Sequence, residues 1–184
     1  MKKIINKNKR AQVWIETVLY TMIGLAILGT LMAVAKPKID SYRDKVVIEQ
    51  TIESLSLVDE KITSVLRAPG NTRIIDLKIS KGKLVIDSQA DTLYWIMESK
   101  DKYGEPGQKI PVGNIDVLTE GKGPWMITMS INYTLLDLNI TTKDNKDIKQ
   151  EVAASPTPYS LIIENLGKSS PSSVKQQIRI YTSG

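Results

Sequence analysis

The chain has 184 residues and contains neither cysteine nor histidine. Without cysteine there can be no disulfide staple, Fe–S cluster, thiolate zinc site or thiol nucleophile. Without histidine the commonest general base and the commonest transition-metal ligand are missing, so the expectation is a chain that is not an enzyme and carries no cofactor. Other chemical motifs are equally thin. Gly121-Lys122-Gly123 and Lys81-Gly82-Lys83 lack phosphate-loop spacing. Asp144-Asn145-Lys146-Asp147 offers oxygen ligands but has neither the glycine nor the distal glutamate of a calcium loop, and reads as a solvated turn.

Excess positive charge is also absent from most of the chain. The formal charge is +5, from 25 basic and 20 acidic residues, but residues 1–11 hold Lys2, Lys3, Lys7, Lys9 and Arg10 with no acid. Everything after residue 11 is therefore neutral. A nucleic-acid module needs its basic surplus on the folded body, where it replaces counterions along a phosphate backbone. No nucleic-acid partner is expected.

What the chain does have is a run of 19 uncharged residues, 17–35 (TVLYTMIGLAILGTLMAVA). At a helical rise of about 1.5 Å per residue this crosses hydrocarbon about 30 Å thick. Gly24, Ala26, Gly29, Ala33 and Ala35 interrupt the bulky surface, and small residues let membrane helices approach closely. A conventional secretory signal has a shorter core followed by a small-residue cleavage site, whereas this run ends in Val34-Ala35-Lys36-Pro37-Lys38. Five positive charges precede the run and two follow it closely, which predicts a cytoplasmic amino terminus and an external carboxyl side.

Beyond the run, Ile48, Ile52, Leu55, Val58, Ile62 and Val65 recur at helical spacing, with Asp44, Lys45, Glu49, Glu53, Asp59, Glu60 and Lys61 over much of the remaining surface. Pro69-Gly70-Asn71 ends the pattern. Residues 12–66 are thus predicted to be helical, with a kink or short melted section at Lys36-Pro37. The apolar face should pack on the chain's own sheet. Short β-type runs follow at 73–80, 83–87, 92–99, 125–133, 135–142, 159–165 and 176–181, with a hairpin at Lys81-Gly82 and loops at 100–108, 120–124, 143–158 and 167–173. The expected fold class is α+β: a long amino-terminal membrane or assembly helix, then an antiparallel, sandwich-like β-rich head. The expected segments are a basic leader (1–11), a transmembrane helix (12–35), an amphipathic extension (36–66) and the head (72–184).

Directly before the apolar run stands Lys9-Arg10-Ala11-Gln12-Val13-Trp14-Ile15-Glu16. This segment resembles the class III signal peptides of archaeal type IV pilins and pilin-like proteins. In that family a membrane aspartyl peptidase cuts after a small residue and before Gln, with Glu at the fifth mature position. Ala11, Gln12 and Glu16 match that pattern, and Lys9 and Arg10 match its basic flank. Trp14 departs from it, since many members carry a small hydroxyl residue there, and reads as an interfacial anchor or packing residue. The resemblance covers residues 7–50 specifically and the β-rich region only as general architecture. It implies cleavage by prepilin peptidase between Ala11 and Gln12, and assembly into a cell-surface filament through the hydrophobic helix. The implied partners are that peptidase, the membrane, copies of the chain or other pilins, and the pilus assembly machinery.

Glu16 is the only acid in residues 13–35. A charge at the membrane centre costs about 2.5 to 3.5 kcal/mol on insertion scales. The resemblance implies a partner, the new α-amino group of Gln12 on a neighbouring subunit; at about 4 Å and an effective dielectric of about 20 this pair gains about 4 kcal/mol. A carboxylate at headgroup level beside the helix amino terminus would not need it. Two acceptor sequons, Asn132-Tyr133-Thr134 and Asn139-Ile140-Thr141, lie in the expected exterior, where glycans would shield an unstapled head. The alternative function is a minor pilin or a membrane-anchored adhesin or binding protein that forms no major filament.

Overall fold

A computed structural model describes residues 7–134, 138–141, 148–168, 170 and 175–183. The predicted leader and the 143–158 and 167–173 loops fall within this range only in part, and Asp144 to Asp147 lie outside it. The chain is α+β: one long helix, α1 (Lys7–Val65), followed by β-strands. It forms two compact units, Met1–Ser41 and Tyr42–Gly184, and α1 contributes to both.

Helix α1 begins upstream of the Ala11-Gln12 junction and continues through Pro37, so the melted section expected there is absent. Proline removes one backbone donor, but the rest of the helical pattern is unbroken around it. In the second unit Ile48, Ile52, Leu55, Val58, Ile62 and Val65 are all buried, as their spacing predicts. The carboxyl-terminal end is closed from a distance. The fully buried Asn165 donates from Nδ2 to the carbonyls of Val65 at 2.9 Å and Ala68 at 3.2 Å, satisfying acceptors that a helix end leaves without partners.

The strands are β1 (Thr72–Leu77), β2 (Lys83–Asp87), β3 (Thr92–Ser99), β4 (Lys109–Val112), β5 (Ile115–Glu120), β6 (Trp125–Asn132), β7 (Leu138–Thr141), β8 (Lys149–Ala153), β9 (Tyr159–Lys168) and β10 (Gln176–Ser183). They form a four-stranded sheet ordered β1-β9-β10-β7 and a six-stranded sheet ordered β4-β5-β6-β3-β2-β8. All pairings are antiparallel except β10 with β7. Strands β4, β5 and β8 go beyond the predicted set, and β8 occupies part of the expected 143–158 loop. Lys149, Gln150 and Glu151 are polar, yet β8 pairs along the whole of β2, from Asp87↔Lys149 to Lys83↔Ala153. Strand β9 likewise runs three residues past its predicted end.

The expected hairpin at Lys81-Gly82 does not form. It joins β1 and β2, which belong to different sheets. Gly82 has φ of +78°, and a Cβ there would lie 2.1 Å from the Ile96 carbonyl oxygen, so glycine is required by close approach to β3 as well as by its backbone conformation. Trp95 Nε1 donates to Lys81 O at 2.9 Å and the Ala154 N–H to Gly82 O at 3.1 Å, which binds this corner to the six-stranded sheet.

Alternation along β3, β6 and β9 sends every second side chain inward. One hydrophobic core results, containing the α1 stripe with Ile75 and Leu77, Trp95 and Met97, Ile127 and Met129, Leu161 and Ile163, and Ile178 and Ile180. Residues 48–65 therefore cover the sheets, as the apolar face requires.

Candidate functional site

The first unit is a helix without cover. Its side chains from Val13 to Val34 are exposed apart from the half-buried Gly24, and the apolar window in Gln12–Val65, with mean hydropathy 2.1, has none of its surface buried inside the chain. It is long and apolar enough to cross a membrane. A core helix of a soluble protein would have its apolar face buried, as residues 48–65 do.

Polar groups in this helix are mostly satisfied by the helix itself. Thr17 Oγ1 donates to Val13 O at 2.8 Å, Thr30 Oγ1 to Ala26 O at 2.9 Å, and Thr21 Oγ1 to the carbonyls of Thr17 and Val18. Hydroxyls bonded back to the preceding turn present little unmet polarity to hydrocarbon. Glu16 is different. Its Oε1 accepts one hydrogen bond, 3.0 Å from Nε2 of Gln12 on the same helix. A carboxylate has about four acceptor positions, so capacity for a further donor remains. Gln12 and Glu16 are thus brought together within one chain at i,i+4 spacing. Lys9, Arg10 and Ala11 lie on the same helix just before them.

A Cβ added at Gly24 or Gly29 would meet no atom within 4 Å. Ile23, Ala26, Ile27, Thr30 and Leu31 line an open apolar groove of about 370 Å³ on the helix surface.

In the second unit three polar clips fasten residues 44–68 to the sheets. Asp44, 8% exposed, accepts from Lys81 Nζ at 2.5 Å and from the Lys100 N–H at 2.7 Å. Asp59 accepts from Tyr133 Oη at 2.9 Å and Asn114 Nδ2 at 2.8 Å. Asn165 forms the third clip at the helix end. Both aspartates read as part of the solvated face in the sequence. One available signal was that Asp44 stands four residues before Ile48, on the line of the buried stripe. Their partners are 37 to 74 positions away and left no local signal.

Burial raises the Tyr133 hydroxyl well above the ordinary phenol range, and the nearby Asp59 charge and hydrogen bond push it the same way. For Asp87, burial raises the carboxyl, but the Lys149 hydrogen bond, the Ala90 and Gln89 N–H groups and the Lys149 charge outweigh it and hold the group below its usual range. The hydrogen bond to Asp87 raises Lys149 correspondingly, and Tyr94 adds to it. Asn132, the first sequon asparagine, is exposed at the end of β6. Asn139 lies on β7, opposite Gln177 of β10. Among the described residues no three His, Cys, Asp or Glu side chains gather as a metal site.

No protein-family model, curated protein or solved structure matches the chain. Functional inference therefore rests on the exposed apolar stretch of α1, the one carboxylate within residues 13–35, and the folded β-rich region.

Proposed function

We propose that the chain is a structural subunit of an archaeal type IV pilus-like surface filament, cut by prepilin peptidase between Ala11 and Gln12 and assembled through its hydrophobic helix. The observation that carries this reading is an uncovered apolar stretch, residues 13–35, whose one acid, Glu16, stands four residues after Gln12. Ordinary signal peptides lose their apolar core on processing. A cut before residue 12 keeps it, removes five positive charges and creates an amino group beside Glu16.

The mechanism follows from those groups. Before cleavage the Gln12 side chain partly satisfies Glu16 within its own chain. After cleavage the positive α-amino group of an incoming subunit offers the stronger, charge-assisted donor. The apolar faces then pack on one another in the filament core with the β-rich heads outside, and Gly24 and Gly29 let neighbouring helices approach. The subunit works by packing and not by catalysis, with neither cysteine nor histidine to supply a nucleophile or general base.

Replacing Glu16 with Ala tests the mechanism. Processing should continue, because the residues at the junction are unchanged, while filament yield should collapse. Normal filaments from the Glu16→Ala chain would contradict the proposed pairing.

A further inference from the structure

We propose that the folded head is N-glycosylated at Asn132 and not at Asn139. The sequence offers both as Asn-X-Thr acceptors, but the fold presents them differently. Asn132 is the last residue of β6 and lies opposite Thr92, the first residue of β3. The pairing of β5 with β6 ends at Ser130, leaving Asn132 beyond that neighbour. Its side chain is exposed, and so is Thr134.

The local geometry is a turn suited to modification. Asn132 Oδ1 accepts from the Thr134 N–H at 2.9 Å, while Nδ2 donates to no described residue. Between them Tyr133 is buried, its Oη held by Asp59 at 2.9 Å and its N–H donating to Asp91 O at 2.9 Å. The middle residue thus anchors the turn while the two recognised residues face outward. Thr134 Oγ1 makes one bond, to Ala90 O at 3.1 Å.

The second sequon is closed at the position that matters. Thr141 is 5% exposed and Ile140 is buried, with the Ile140 N–H donating to Asp91 Oδ1 at 2.9 Å. A transferase that must read the Thr hydroxyl cannot reach it without opening β7 from β10.

The donor would be an oligosaccharide linked through C1 to a lipid phosphate or pyrophosphate. Nδ2 of Asn132 forms a bond to C1, the C1–O bond breaks, the lipid phosphate leaves with the bonding electrons, and the amide releases one proton. Oδ1 is untouched, so its bond to the Thr134 N–H survives the reaction.

This inference rests on the external placement of the head in the proposed function. The test is mass spectrometry of the full chain from its own cells, beside Asn132→Gln and Asn139→Gln variants, with protease added to intact cells. No Lys or Arg separates the sequons, so fragmentation within one tryptic peptide must locate the sugar. The expected result is a glycan mass on Asn132, lost entirely in Asn132→Gln and unchanged in Asn139→Gln. A head cut by external protease but bare at Asn132, or a glycan on Asn139, overturns the inference and leaves the filament reading intact. A head that protease on intact cells cannot reach overturns the external placement and the inference with it.

Discussion

Removing the Asp59 carboxylate leaves the buried Tyr133 Oη without its acceptor, while the exposed Asn114 Nδ2 can turn to solvent. An unsatisfied buried group costs about 1 to 3 kcal/mol, so Asp59→Ala should destabilise the head by about that amount, read as a lower denaturation midpoint of the detergent-solubilised chain. Tyr133→Phe removes that donor instead of stranding it and should cost less. The same hydroxyl sets an alkaline limit. Because burial and Asp59 raise its folded pKa above the unfolded value, its contribution is fully present below about pH 10 and is lost as pH rises beyond that. A stability profile of Tyr133→Phe between pH 9 and 11 (about the phenol range) should be flatter than that of the parent. Asp87 acts at the opposite end: its lowered pKa gives stability that is present above the ordinary carboxylate range and lost as pH falls through the folded value. Asp87→Asn should therefore weaken the acid dependence of unfolding, and an unchanged acid limb would contradict the Lys149 pairing.

At the scale of elements, apolar periodicity was the most readable signal. The stripe Ile48 to Val65 is buried in full, and β2 and β3 match their predicted bounds: β3 alternates with burial of every second residue, while β2 is a short apolar run buried from Leu84 to Asp87. Pairing was not readable. Lys81-Gly82-Lys83 resembles a hairpin turn locally, yet Gly82 is held against Ile96 and Met97 on a strand that is not one of those it joins. Gly82→Ala should consequently do more damage than a change at an open turn such as Gly113, where an added Cβ meets nothing. A loss of about 1 to 3 kcal/mol is expected from backbone strain alone, before the clash with the Ile96 carbonyl. Thermal unfolding of the two variants side by side checks this ordering. Strand β8 escaped notice because Lys149-Gln150-Glu151 carries no alternating pattern and gains its place from β2. In α1 the small residues have the reverse character: a Cβ added at Gly24 or Gly29 would meet nothing beyond its own helix backbone, so Gly24→Leu should leave the folded head and processing unchanged while reducing filament yield.

For the whole molecule, the division between the two units corresponds to two kinds of hydrophobic surface. The second unit closes its apolar residues into one core, clipped at Asp44, Asp59 and Asn165. The first leaves residues such as Trp14, Leu25 and Met32 exposed. Such a surface is suited to lipid, other helices or both. The candidate junction was legible because Ala11, Gln12 and Glu16 lie within six residues; the clips were not, because their partners are distant in sequence. The most direct measurement is the amino-terminal sequence and intact mass of subunits from filaments sheared off the cell surface. Subunits of this chain should dominate that fraction and begin at Gln12, with residues 1–11 absent and residues 17–35 retained. A mature chain beginning anywhere else, or one that remains wholly with the membranes, would contradict the proposed filament subunit.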